Sequence, residues 1–325
     1  MRSAAKRVHP KLANRVPLWT EVLLHILFAL FSIACLAPLL LLIAVSLTPE
    51  TVLLQDGYQF FPREYTLEAY AFLFEKPEMV LNAYGVTLFV VVVGTLACLL
   101  VTVLYAYPIS RVDFPFRNFF ATFIVITMLF SGGLTASYIV NVRVLHLRNT
   151  IWALILPGIG SAFYIMIART FFRISIPLSV LESARIDGAG EWRILFQIVL
   201  PLSLPMLATI GLFATFSFWN DWFRSLLYVD KKELYALQYV MMRALLNLQY
   251  LQQNMSNMSA EEAMLEMAKL PSETLRMAMA VVSIGPIVLA YPFFQRFFIS
   301  GLTVGAVKGL STKRLPAARG TKRRI

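Results

Sequence analysis

Long apolar blocks separated by polar connections dominate this sequence. A helix needs about 20 consecutive apolar residues to cross the hydrocarbon core. Runs of that kind fall at about 22–47, 84–108, 118–140, 148–171, 202–223 and 275–297. They predict an all-α integral membrane protein of six transmembrane helices, with both termini on one side. Two connections on the opposite side are long. One, 48–83, carries Glu50, Asp56, Glu64, Glu68, Glu75 and Glu78. The other, 224–274, is rich in Met and Gln and has an amphipathic helical stretch at 259–270.

Composition agrees with the block pattern. Of 325 residues, 58% are hydrophobic and 14% charged, too little polar surface to cover a soluble globule of this size. The net charge of +11 would suit nucleic acid if it formed one patch. Instead the Lys and Arg gather at the termini and in short connections between apolar runs, which is topology patterning and predicts no nucleic-acid partner. Most of them fall on one side when both termini are placed inside: Arg2, Lys6, Arg7, Lys11, Arg15, Arg111, Arg117, Arg169, Arg173, Arg185 and Arg193 lead, with Arg296, Lys308, Lys313, Arg314, Arg319, Lys322, Arg323 and Arg324 at the far end. Arg143 and Arg148 run against that N-in, C-in orientation. The basic N-terminus followed by 22–47 is too long in its apolar part for a cleaved signal peptide, so it is expected to stay as an anchor.

The spans hold little chemistry. His25 is the one ionisable group within them, and Asp, Glu, Lys and Arg sit at their ends. No carboxylate chain is present to carry protons or sodium, and a lone histidine one turn into a first span reads as an interfacial hydrogen-bonded residue. Cys35 and Cys98 lie in apolar runs and read as small buried side chains, with no disulfide or metal spacing. There is no phosphate-cradling G-x-x-x-x-G-K-[ST], no H-E-x-x-H and no G-x-S-x-G. No catalytic residue, metal or cofactor is expected, and uphill transport would draw its energy from another subunit.

The stretch 174–206 is too polar at its centre to span and predicts two short helices. Ser179 and Glu182 have the S-x-x-E spacing of a capping box, which would start a helix after Pro177. Leu181, Ala184, Arg185 and Gly188 follow at helical spacing, and Ala184 with Gly188 would offer a small-residue face to another protein. Gly188 and Gly190 end that helix. Trp192, Leu195, Phe196 and Val199 then form one stripe before Leu200 and Pro201, where the chain turns into the fifth span. The unit predicts a rigid docking lever.

The tripeptide Glu182-Ser183-Ala184, followed by Gly188, Ile198, Leu200 and Pro201, resembles the EAA–x3–G–x9–I–x–LP signature of bacterial binding-protein-dependent ABC importer permeases. The spacing matches at each of these positions, with Ser183 in place of an alanine. Together with GLTVGAVKG near the C-terminal end, the surrounding sequence is similar to the carbohydrate-uptake branch, MalG-like and of the LplC subgroup. The resemblance implies a type I importer permease fold with a cytoplasmic coupling helix between spans four and five. It implies that 182–188 docks on an ABC ATPase subunit dimer, with Glu182, Ser183, Ala184, Asp187, Gly188, Ile198, Leu200 and Pro201 forming the coupling segment. It further implies a second homologous permease subunit and an extracytoplasmic solute-binding protein delivering a carbohydrate, an oligosaccharide in particular. An amphipathic connection lying on lipid is the bland alternative for this segment, and Asp187 and Glu191 argue against it.

Trp219, Asn220, Asp221 and Trp222 close the fifth span at its outer end, mixing aromatic faces with amide and carboxylate groups suited to sugar. They are the candidates for the substrate path, against the alternative of an aromatic belt at the interface. Ser131-Gly132-Gly133 and Pro157-Gly158, with Gly160, should break or bend the third and fourth spans. Met255, Met258, Met264 and Met267 offer an adaptable surface or loop packing. The expected organisation is a basic segment at 1–21, a permease domain at 22–307 with its coupling loop at 177–201, and a basic tail at 308–325 that touches membrane lipid or a partner. A permease for a non-sugar solute is the nearest rival; a membrane scaffold or embedded enzyme would require polar groups clustered at one depth.

Overall fold

The computed structural model describes residues 17–75, 77–255, 273–288, 292, 294 and 295. Helices make up most of these and no strand occurs among them, as a chain must fold where water cannot satisfy its backbone. The basic segment before residue 17, the amphipathic stretch at 259–270 with its methionines, and the tail at 308–325 lie outside the described residues. The chain divides into two compact units, 1–72 with 268–281, and 73–267 with 282–325.

In the first unit, α1 (Leu18–Ser46) begins after Pro17, whose ring presets an extended entry to the first turn. Its apolar side chains are exposed along most of its length, the distribution of a helix solvated by lipid or by another subunit. Cys35 is among the exposed ones, contrary to the expectation of burial; among the described residues, no neighbouring helix of its unit covers that stretch. The Nδ1–H of His25 donates to the Glu21 carbonyl at 2.7 Å, the hydrogen-bonded role expected of it. The helix closes on hydroxyls: Ser46 donates to Ile43 and meets the Tyr70 hydroxyl at 2.8 Å, and Thr48 donates to Ala44. Two short helices, α2 (Glu50–Asp56) and α3 (Glu68–Leu73), follow. The Glu50 carboxylate accepts from the Glu273 and Thr274 amides and from the Thr274 hydroxyl, neutralising orphan donors at the start of the helix over 273–288.

The second unit is organised on α4 (Pro77–Ser110). Its 34 residues span about 51 Å, well beyond a hydrocarbon core of about 30 Å. Gly94, Cys98, Thr102 and Ala106 recur every fourth residue on its buried face, a strip of small side chains along which other helices approach closely. The Phe218 ring lies so near Gly94 that a β-carbon there would stand 2.8 Å from it. Beside this contact the hydroxyls of Thr95 and Thr215 meet at 3.3 Å.

Three further pairs of apolar helices are sharply bent. α5 (Arg117–Leu129) and α6 (Gly133–Ile139), which continues as a π-helical turn to Val144, meet at 116°. The break falls at Ser131-Gly132-Gly133 as expected, with Gly133 at φ +76°, a conformation glycine adopts without strain. α7 (Trp152–Ile155), extended by a 3-10 turn through Gly158, meets α8 (Ala162–Ser175) at 48°, the bend expected from Pro157, Gly158 and Gly160. The side chain of Ser161 caps α8 by accepting from the Tyr164 amide. Next come α9 (Leu178–Ile186), α10 (Glu191–Ile194), a π-helical turn (Leu195–Val199) and α11 (Leu200–Leu202). They are followed by α12 (Leu204–Trp219), α13 (Phe223–Tyr228) and α14 (Leu237–Met255).

The 191–202 and 204–219 helices meet at 80°, and the change of direction falls at Ser203, not at Leu200-Pro201. The wider π turn ahead of Pro201 accommodates a residue without a donor and with a bulky ring, so the helix passes through it. Two helices, α1 and α4, are long and apolar enough to cross a membrane, and counting each of the three bent pairs as one span gives at most five among the described residues. The expected sixth run, 275–297, is described only in part.

Candidate coupling site

α9 starts where expected, but not by the expected device. Pro177 occupies the cap position, extended at ψ 133°, and no side chain caps the helix. Ser179 is therefore already inside the first turn, too late to act as the cap of a box with Glu182. The C-terminal end is a Schellman closure: the Gly188 amide donates to the Arg185 carbonyl at 3.0 Å and the Ala189 amide to the Ala184 carbonyl at 2.9 Å. Gly188 has φ +78° with no atom within 4 Å of where a β-carbon would sit. Its glycine is required by the left-handed backbone and not by a close approach within the chain.

The two faces of α9 differ sharply. Leu181 and Ala184 are buried in a cluster with Tyr107, Ile109, Phe172, Ile194, Leu195 and Val199. Ala184 thus faces this chain's own core and is not part of an outward small-residue face. Glu182, Ser183, Ile186 and Asp187 point outward, Ile186 with 85% of its surface exposed. Ile198 and Leu200 pack against the same buried cluster, while Pro201 is exposed. The expected stripe also divides. Leu195 and Val199 are buried, whereas Trp192 and Phe196 are exposed and stack on each other at 6.0 Å. The π turn shifts the register after Ile194, so four residues predicted for one side are shared between two.

α9 is also tied to the end of α4 by a closed ring of charges and one hydroxyl. Arg111, just past α4 and only 8% exposed, grips Asp113 with two parallel bonds, Nε to Oδ1 at 3.0 Å and Nη2 to Oδ2 at 3.1 Å. Arg185, in the last turn of α9, donates from Nη2 to both Asp113 and Glu191, and from Nε to Glu191 at 3.0 Å. Tyr107 completes the ring, donating its O–H to Glu191 at 2.9 Å and accepting from Arg111 at 3.1 Å. Two cations and two anions cancel. Hydrogen bonds from Arg111, partly opposed by burial and reinforced by Arg185, hold the Asp113 carboxyl well below the usual carboxylate range. The bonds to Glu191 and Asp113 raise the Arg185 guanidinium further above its ordinary value. The ring walls a cleft of about 420 Å³ whose other side is Leu104, Phe114, Pro115, Trp192 and Leu195.

By sequence, Arg185 and Glu191 fall in the coupling segment, but nothing there joins them to Tyr107, Arg111 and Asp113. Their partners lie up to 84 positions apart, so only the fold brings them together. Arg111 and Asp113 directly after an apolar run, matched in sign by Arg185 and Glu191 in the next polar segment, were the available signal.

Residues 111–304 match the model of the family described as binding-protein-dependent transport system inner membrane component. The chain belongs to this family. The matched range opens at Arg111 and includes Asp113, α9 and Glu191. The permease is 36% identical over 273 residues to Protein LplC of Bacillus subtilis (strain 168), covering 84% of this chain and 89% of that one. It is 34% identical over 289 residues to the polygalacturonan/rhamnogalacturonan transport system permease protein YtcP of the same organism, covering 89% and 98%. Among solved structures, it is similar to a chain in the crystal structure of a bacterial ABC transporter involved in the import of the acidic polysaccharide alginate. That similarity has a TM-score of 0.72 and 28% identity, covering 88% of this chain and 98% of that one. The permease is thus an inner-membrane component of a binding-protein-dependent importer.

The four residues expected on the substrate path have unequal settings. Trp219 is 2% exposed, and its indole N–H donates to the Ser283 carbonyl at 2.9 Å. Asn220 is exposed and donates to the Phe216 carbonyl of its own helix. Asp221, two residues before α13, accepts from the Phe223 and Arg224 amides of its first turn and pairs with the Arg224 guanidinium at 2.8 Å. Arg224 in turn donates to the Leu154 carbonyl and lies over the Phe218 ring at 5.2 Å. Trp222 is partly buried, edge-on to Phe223. Among the described residues no group of His, Cys, Asp and Glu is arranged to hold a metal.

Proposed function

We propose that this permease is the membrane-spanning subunit of an ATP-driven importer of carbohydrate, oligosaccharide in particular, and performs no covalent chemistry itself. The observation that carries the reading is the two-faced α9, anchored inward through Leu181 and Ala184 with Glu182, Ser183, Ile186 and Asp187 left outward, within a chain of this family. Six spans with both termini in the cytoplasm place α9 on the cytoplasmic side, where it docks on one subunit of an ABC ATPase dimer. A second, homologous permease covers the exposed apolar surface of α1 and the broken spans, and an extracytoplasmic solute-binding protein delivers the sugar to the outer end of α12. There Asn220 and Trp222 meet the solute, held in place by the buried Trp219 and by Asp221 at the start of α13.

The substrate class rests on the names of relatives, which include a polygalacturonan/rhamnogalacturonan system and arabinooligosaccharide permeases from Halalkalibacterium halodurans and Bacillus subtilis. Uptake of labelled plant-wall oligosaccharides by cells carrying or lacking this chain tests it. Loss of oligosaccharide uptake with monosaccharide uptake intact is the expected result. Undiminished oligosaccharide uptake together with a defect for an amino acid or peptide would assign the permease to another solute class.

A further inference from the structure

α4 stands between the two ends of the proposed transport cycle. At one end Tyr107 and Arg111 belong to the charged ring that holds α9. Gly94, 13 residues earlier in the same helix than Tyr107 and so about 20 Å along its axis, carries the Phe218 ring in direct contact, and Phe218 is followed by Trp219 and Asn220. The Thr95 and Thr215 hydroxyls pair at the same level. α9 itself joins α4 in two ways: its apolar face shares the buried cluster with Tyr107 and Ile109, and Arg185 reaches over the cleft to Asp113.

An apolar contact alone would let α9 slide, because dispersion and hydrophobic attraction have no direction. The Arg185 fork, held by two carboxylates that are themselves fixed by Arg111 and Tyr107, removes that freedom. We infer that Asp113 and Arg185 are positioning residues that make α9 and α4 move as one body, so that displacement of α9 reaches the Phe218–Asn220 end of α12 through α4. The inference rests on the proposed docking of α9 on an ATPase. Neither residue lies on the outward face assigned to docking, which separates transmission from attachment.

The test uses the assembled importer in lipid nanodiscs, with Asn220→Cys as reporter in a Cys35→Ala, Cys98→Ala background and a membrane-impermeant maleimide as probe. The rate of modification is compared without nucleotide and after trapping with ATP and vanadate. A working link should change that rate at least about fivefold between the two states, while Asp113→Asn should bring the ratio within about twofold and Asp113→Glu should restore it. Tyr107→Phe, which removes one hydroxyl and keeps the ring edge-on to Phe172, should reduce the ratio in the same direction and serves if Asp113→Asn does not assemble. The ATPase must co-purify and hydrolyse ATP in each variant. A full change of rate in Asp113→Asn and Tyr107→Phe with ATPase bound would overturn the inference alone. Absence of ATPase from the unmodified importer would overturn the docking proposal beneath it.

Discussion

Asp113 and Arg185 are 72 positions apart and meet through a direct carboxylate–guanidinium bond. Each has a second opposite charge: Arg111 holds Asp113 and Glu191 holds Arg185. An exposed pair of this kind contributes little to stability. Its value is geometric, because a fork held at both prongs fixes the orientation of α9 on the end of α4.

The same ring sets a pH expectation. The folded-state pKa of Asp113 is depressed, so its contribution is present above the unfolded carboxylate value of about 3.9 and is lost as pH falls through the folded value. The ratio of modification rates at position 220 with and without trapped nucleotide should therefore be level from about pH 5 to pH 8, while each rate alone rises with the thiolate fraction. A loss of coupling centred near pH 6 would show that a different group governs the joint.

Gly188 should tolerate residues according to backbone conformation. Gly188→Ala is expected to lower thermal stability in detergent by about 1 kcal/mol, the cost of a β-carbon in the left-handed region, and Gly188→Asn by less. The open space around the position means that a steric effect of Gly188→Trp would come from a partner. Equal stability of the Ala and Gly forms would remove the Schellman closure from the account.

Gly94 answers to a different constraint. Gly94→Ala places a methyl against the Phe218 ring and should destabilise by about 1–3 kcal/mol, as overpacking does. Phe218→Leu in the same chain should recover part of that loss. Independent, additive effects in a double-mutant cycle by thermal unfolding would contradict the contact.

Gly158→Ala should act through Arg224, whose guanidinium stands 2.7 Å from where the new carbon would be. The side chain can swing away, at the expense of its bond to the Leu154 carbonyl, a loss of about 1 kcal/mol. Arg224→Met should make the glycine substitution nearly neutral, measured in the same unfolding assay; an unchanged penalty would place the clash elsewhere.

Much of this architecture is legible in the sequence because the bilayer imposes simple rules. Apolar length marks α1 and α4, and Ser131-Gly132-Gly133 and Pro157-Gly158 mark the breaks in two other spans. The position of α9 follows from a polar segment with its own start and stop. What cannot be read locally depends on long-range packing. Ala184 fits an outward small-residue face by spacing alone, yet Leu181 and Ala184 turn inward because the cluster around Tyr107 and Phe172 needs that surface. Trp192 and Phe196 leave their predicted stripe because a π turn is invisible to a 3.6-residue period. The ring through Tyr107, Arg111, Asp113, Arg185 and Glu191 draws on segments that meet only after folding.

The docking of α9 is tested most directly by purifying the tagged permease from its membrane in mild detergent and identifying what co-elutes, for the unmodified chain and for Ile186→Arg. Ile186 is the large apolar side chain of the outward face and is almost wholly exposed, so a charge there should not disturb the buried cluster. A P-loop ATPase and a second permease are expected with the unmodified chain, and selective loss of the ATPase with Ile186→Arg. An ATPase retained in full by the variant, or absent from both, would contradict the docking.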